Sequence, residues 1–186
     1  MSGLDDTLKS LSASFSELGV RWYVFGAQAA ILHGVARATA DIDVTVDLGD
    51  HETGWLASSL RGHGFALRVS DDAFVAQTRV LPVAHSSGVP VDVVLAGPGL
   101  EQLFFDRIVF RTIGGLTVPV ASAEDIVVMK VLASRAKDLD DVRGIVSAKR
   151  GHLDIEQIRA TLRLLEGALD QSDLLPVFER LLVARR

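Results

Sequence analysis

The chain has 186 residues and a mass of 20.0 kDa, with 48% hydrophobic and 23% charged residues. That length suits one compact domain carrying a small helical appendage, not two full-size domains. Nineteen Lys and Arg stand against 24 Asp and Glu, for a net charge of -5 and a pI near 5.5, which excludes the overall basic character of a nucleic-acid coat and leaves room only for a local basic face. Cysteine is absent, so disulfides, thiolate nucleophiles, Cys-ligated zinc and iron-sulfur clusters are excluded, and any metal must be held by carboxylates or by the five histidines.

The first residues, MSGLDDTLKSLSASF, carry acids and serines where a secretory signal needs a basic start and an apolar core, so the expectation is a cytoplasmic protein. The apolar runs are shorter than the roughly 20 residues of a membrane span. Leu4, Leu8, Leu11, Phe15 and Leu18 recur at helical spacing and predict a first amphipathic helix stopped by Gly19. Val20 to Phe25 reads as a strand, running through a tight turn at Gly26 into an alanine-rich helix that ends at Leu32. Asp41 to Val46 spells D-I-D-V-T-V, a strand with alternating faces, which sends both acids the same way.

A helix over His51 to Leu60 follows, then strands at Phe65 to Val69, Phe74 to Val80 and Val89 to Leu95, with a break at Pro98-Gly99. Ile108 to Ile113 and Leu116 to Val120 flank Gly114-Gly115 as a hairpin. Ser122 is placed to cap a helix, and Ile126 to Ala133, Leu139 to Ala148, Ile155 to Leu169 and Leu174 to Val183 read as successive helices. The expected organisation is mixed α+β, with a sheet core over 1–121 and a helical part over 122–186. Up to Asp125 there are 8 basic and 15 acidic residues, and beyond it 11 and 9, so negative charge goes with the sheet and positive charge with the helices. The mean hydropathy of +0.30 predicts extensive burial and a tendency to self-associate into a homo-oligomer.

Asp41 and Asp43 project from one strand face about 7 Å apart. Two carboxylates so placed repel unless hydrogen bonds or a cation lie between them, and an oxygen-only set suits Mg2+ completed by substrate phosphates. Acids also occupy solvated strand edges without any such role. Asp92, alone in V-P-V-D-V-V-L, is harder to account for in that way, because an unpaired carboxylate among Val and Leu is costly to bury; on a neighbouring strand it would add a third carboxylate. Gly26 lets backbone N–H groups approach a phosphate, although strand-to-helix turns also use glycine for geometry alone. Arg37 and Thr39 precede the acids in R-A-T-A-D-I-D; Arg37 suits a triphosphate or an ion pair with Asp41 or Asp43. Lys130, on a nearly all-apolar helix, must snorkel or reach an anion, and Arg135 follows it. Asp140 and Asp141 fit a solvated helix junction. The histidines form no ligand spacing, and Trp22, Tyr23 and His33 suit core positions.

In order, G-A-Q-A-A-I-L-H-G-V-A-R-A-T-A-D-I-D-V-T-V, V-D-V-V and K-x-x-x-x-R-x-K-D-x-x-D-V resemble the polymerase-β-type nucleotidyltransferase superfamily, and within it the AbiEii-type toxin branch, over about Val20 to Val142. The resemblance implies a small mixed sheet flanked by helices with a helical C-terminal part. It implies that Gly26 and Ala27 form the phosphate-cradling turn, that Asp41, Asp43 and Asp92 bind two Mg2+ ions, and that Lys130, with Arg135 after it, is the basic residue of the last motif. Ala27 departs from the pattern, since many relatives have Gly or Ser there. The activity implied is transfer of a nucleoside monophosphate from an NTP to an acceptor hydroxyl with pyrophosphate release. In the branch resembled, the acceptor is RNA, most plausibly tRNA, and the partner is a cognate antitoxin protein. Arg159 and Arg163, one helical turn apart, with Lys149, Arg150, Arg185 and Arg186, suit an RNA surface or a solvated helix face. Two other readings stay open: nucleotidylation of an aminoglycoside-like small molecule or a protein, and a non-catalytic nucleotide-binding module.

Overall fold

The computed structural model describes residues 3–69 and 71–183; Arg185 and Arg186 lie outside them. The elements in chain order are α1 (Gly3–Leu18), β1 (Arg21–Phe25), α2 (Gly26–Leu32), β2 (Ile42–Asp47), α3 (Thr53–Gly62), β3 (Phe65–Leu67), α4 (Asp72–Thr78), β4 (Val80–His85), β5 (Pro90–Leu95), α5 (Leu100–Phe105), β6 (Val109–Ile113), β7 (Leu116–Val120), α6 (Ala123–Ala133), α7 (Ala136–Ala148), α8 (Ile155–Leu169) and α9 (Leu174–Val183). Two compact units result, one of Met1–Gln28 with Thr39–Ala121 and one of Ala29–Ala38 with Ser122–Arg186. Among the described residues no helix is long and apolar enough to cross a membrane.

In the first unit the described strands form one seven-stranded sheet in the order β3-β4-β5-β2-β1-β7-β6. It is mixed: β2 pairs parallel with β5 and β1 parallel with β7, and the other neighbours are antiparallel. Its interior is aliphatic, with Val24, Ile42, Val44, Val46, Val83, Val91 and Val93 fully buried, as β-branched residues on a covered sheet should be. On α1, Leu8, Leu11 and Phe15 make the buried stripe, and Phe15 meets Trp22 of β1 with ring centroids 5.1 Å apart. The fold class read from the sequence, mixed α+β, is the observed one.

One expected strand is instead a helix. Phe74 to Val80 holds the strand-forming Phe74, Val75, Thr78 and Val80, yet residues up to Thr78 form α4. Asp71 caps it by accepting from the Ala73 N–H at 2.9 Å, and Arg79, at φ 56°, stops it in the left-handed conformation. These local end signals override strand propensity over so short a run. The strand begins only at Val80 and includes Pro82, a residue that argues against an interior strand. The Pro82 carbonyl accepts from the Arg68 N–H at 2.9 Å, just past the end of β3. A strand residue's N–H and C=O point to the same side, so the missing donor of Pro82 falls where the ladder with β3 has ended.

The second unit is helical. Ser122 caps α6 as its sequence predicts, accepting from the Asp125 N–H at 3.1 Å and donating to the Asp125 carboxylate at 2.7 Å. α6 buries Ile126, Val127, Val128 and Val131 together with Lys130. The Lys130 ammonium lies 2.6 Å from Asp141 and 3.3 Å from Asp138, both on α7 and both buried. Arg37 adds a second cation to Asp141 at 2.7 Å, and Arg135 a second to Asp138 at 2.5 Å. Asp140 sits on the solvated junction, as expected, and pairs with Arg143. Asp141 does not: it is 5% exposed and bridges two cations, because a buried Lys is tolerable only with its charge answered.

Burial raises the Asp138 carboxyl, but the Arg135 hydrogen bond and the Lys130 charge outweigh it and hold the group below its ordinary 3.8. A carboxylate depressed in this way stabilises the fold at pH above its unfolded value and loses that contribution as pH falls through the folded one. The thermal unfolding midpoint is expected to drop as pH falls below about 4. Asp138→Asn is expected to lower the midpoint at neutral pH and to flatten the acid drop; melting curves across this range with the same acid limb in both proteins would remove Asp138 as its source.

Candidate active site

The residues singled out by the sequence divide between the two units. Gly26, Ala27, Thr39, Asp41, Asp43 and Asp92 belong to the sheet unit, and Arg37, Lys130 and Arg135 to the helical one.

Register places the acids of the sheet unit. Asp43 of β2 faces Phe25 of β1 on one side and Asp92 of β5 on the other. Asp92 faces Pro82 of β4, and Pro82 is hydrogen-bonded to the backbone of Arg68. Residues paired across strands project to the same face at a spacing of about 4.8 Å. Asp43 and Asp92 are therefore neighbours in one row, although 48 residues lie between their positions in the chain. Asp41, two residues before Asp43 and exposed at the mouth of β2, accepts a hydrogen bond from the Thr39 hydroxyl.

Gly26 closes this corner. It has φ +66°, and a Cβ built on it would stand 1.9 Å from Asp43 Oδ2. The Asp43 carboxylate thus lies against the bare Cα where β1 turns into α2, a place no side chain can share. Glycine is required here by contact as well as by turn geometry.

The Asp92 carboxylate turns the other way along the row. Its Oδ1 accepts from Arg68 Nη1 at 3.0 Å, with both side chains about two-fifths exposed. Arg68 carries no sequence signal, since its position beside Asp92 follows from the pairing of three strands. Among the described residues no three His, Asp or Glu side chains are gathered as a group that would hold a metal ion as they stand. The donor chemistry nonetheless fits a hard divalent cation: oxygen ligands only, two in adjacent register and a third one strand repeat upstream.

In the helical unit, Arg37 pairs with Asp141 and not with Asp41 or Asp43, and Lys130 and Arg135 are engaged by Asp138 and Asp141. The D-x-x-D spacing in the last motif is what a helix needs to point both carboxylates at one lysine. Arg159 of α8 is held by Glu179 and Glu156, each at 2.6 Å. Among the histidines, His33 is buried, and His85 joins β4 to α1 through Ser10 at 3.1 Å and Thr7 at 3.2 Å.

Similar folds occur among solved structures. The solution structure of the antibiotic-resistance factor ANT(2'')-Ia superposes with a TM-score of 0.61 at 17% identity, covering 91% of this chain and 97% of that one. The crystal structure of ANT(2'')-Ia in complex with adenylyl-2''-tobramycin gives 0.58 at 18%, covering 87% and 98%. The lincomycin-bound lincosamide antibiotic adenylyltransferase LnuA gives 0.54 at 16%, covering 77% and 96%. At these identities the likeness is one of fold. No curated protein matches the chain. The family "Nucleotidyltransferase of unknown function (DUF6036)" matches residues 2–164, and with most of its length and its polymerase-β-like fold in agreement the chain belongs to that family and is a nucleotidyltransferase.

Proposed function

We propose that the protein transfers a nucleoside monophosphate from an NTP to an acceptor hydroxyl, using Mg2+ held by Asp41, Asp43 and Asp92. The observation that carries this reading is the side-by-side register of Asp43 and Asp92, with the Asp43 carboxylate seated against the bare Cα of Gly26. The acceptor hydroxyl gives up its proton to solvent as its oxygen bonds to the α-phosphorus, the bond from that phosphorus to the bridging oxygen breaks, and pyrophosphate leaves with the electron pair. Bound Mg2+ would supply charge stabilisation at the attacking and leaving oxygens. The chain's own part is to set Asp43 and Asp92 side by side with Asp41 two residues upstream, and to keep side chains off the turn at Gly26 and Ala27, where the triphosphate would approach backbone N–H groups. Thr39 orients Asp41 through its hydrogen bond. Arg37, Lys130 and Arg135 stand second to the carboxylates here, because each must release an aspartate before binding phosphate.

For the acceptor, the resemblance to the AbiEii-type branch implies RNA, in particular tRNA, and with it a toxin restrained by an antitoxin protein and working in the cytoplasm. A second reading, a small hydroxylated cation, is favoured by the antibiotic ligands named for the ANT(2'')-Ia and LnuA structures and by the acidic excess of the sheet part, which would attract a polycation. Arg159, engaged by two glutamates, gives the RNA reading little support.

The test is incubation of the protein with Mg2+ and each α-labelled NTP against total tRNA, tobramycin and lincomycin, with Asp41→Ala/Asp43→Ala as control. Label on a tRNA-sized band, lost in the control, is the expected result; label on a drug would replace RNA by a small-molecule acceptor, and no pyrophosphate release with any of them would overturn the proposal. Asp92→Asn is expected to slow transfer by at least about 100-fold, and full activity in that variant would end its role. Gly26→Ala must push the Asp43 carboxylate aside and strain the turn by about 1 to 2 kcal/mol. It is expected to lower transfer at least about tenfold while the protein still folds, as read by kinetics beside a urea melt.

A further inference from the structure

The row of the proposed site does not end at Asp92. From Asp43 it runs through Asp92 and Pro82 to Arg68, each step a strand pairing or a backbone hydrogen bond. Pro82, between Asp92 and Arg68, offers neither a charge nor a long side chain, so the Arg68 guanidinium passes over it to Asp92 Oδ1 at 3.0 Å. Arg68 sits at the end of β3, fixed at its backbone by the Pro82 carbonyl and about two-fifths exposed in its side chain. It is thus tethered at one end and able to swing at the other.

Two carboxylates in adjacent register need positive charge between or beside them. Arg68 supplies one such charge on the side of Asp92 away from Asp43. Resting on the metal-dependent reading above, we infer that Arg68 is a positioning residue for Asp92: it holds that carboxylate on the side away from Asp43 and must yield it when a divalent cation binds. The guanidinium and the cation compete for the same oxygens. An exposed Arg–carboxylate pair is weak, weak enough for a divalent cation to displace, and a long side chain hinged at the sheet edge has solvent to move into. Arg68 therefore weakens cation binding through Asp92 and fixes the direction of its carboxylate until the cation arrives.

The test is Mn2+ alone, titrated into the full chain and read by the loss of the free-ion electron paramagnetic resonance signal, for the wild type, Arg68→Met, Arg68→Lys and the double variant Arg68→Met with Asp92→Asn. Arg68→Met is expected to bind Mn2+ about 3- to 10-fold more tightly than the wild type, since a neighbouring cation no longer competes. Arg68→Lys, which retains the charge, is expected to stay close to the wild type. The gain should vanish in the double variant, because it acts through Asp92. Unchanged or weaker binding in Arg68→Met, or a gain that survives loss of Asp92, overturns the inference and leaves the metal-dependent reading standing. Absence of Mn2+ binding in the wild type and in Arg68→Met alike overturns that reading, and the inference with it.

Discussion

Adjacent carboxylates on parallel strands set the terms for the sheet unit. Asp43 and Asp92 occupy facing positions on β2 and β5, and each would be destabilised by the other without a compensating contact. Gly26 leaves room for the Asp43 carboxylate against its Cα, on the flank away from Asp92, and Arg68 supplies an ionic contact to Asp92. The surrounding topology serves these contacts. The antiparallel pairing of β1 with β2 brings Phe25 beside Asp43 and so delivers Gly26 to it, and the order β3-β4-β5 puts Arg68 two strands away from Asp92 with only Pro82 between.

The helical unit depends on a constraint of the same kind, met differently. Lys130 lies in a helix whose neighbouring positions are buried aliphatics, and a buried ammonium requires anions at contact distance. Asp138 and Asp141, one helical turn apart on α7, both reach it, and each is shared with an arginine. Two lysine-facing carboxylates balanced by two further cations leave no carboxylate oxygen pair unanswered, the condition under which a buried charge cluster is tolerated.

Much of this was legible in the sequence wherever the signal is local. The alternation of D-I-D-V-T-V gives the β2 strand, the Gly26 turn marks the passage into α2, and Ser122 with Asp125 marks the start of α6. Residue propensity failed where end signals compete, as at Phe74 to Thr78, where the Asp71 cap and the Arg79 stop make a helix of a run with strand-forming residues. Of the long-range pairings, the strand of Asp92 beside that of Asp43 was anticipated and the ion pairs were not. Arg37 stands beside the acids of β2 in the chain, yet its partner is Asp141, 104 residues away. Arg68 is an ordinary surface arginine in the sequence and becomes notable only when three strands are in register. Asp141 reads as solvated because the sequence, although it shows that Lys130 needs an anion, does not show which acid answers it.

The two sets of ion pairs differ in what it takes to break them, and that difference bears on which residues can take part in chemistry. The Arg68–Asp92 pair is solvent-exposed, and such pairs are worth about 0.2 to 1 kcal/mol, so a bound cation can replace it with little loss. The Lys130 pairs are buried on both sides, at 8% exposure or less. Removing one partner from such a cluster costs about 3 to 5 kcal/mol because the remaining charge is stranded. Recruiting Lys130 to a phosphate would strand Asp141 in that way unless Arg37 stayed behind to answer it. A reactive centre needs partners that hold geometry and then let go, and in the sheet unit the exposed contacts meet that condition. The buried cluster does not, so Lys130 is better suited to fixing α6 against α7 than to following a substrate through its transition state.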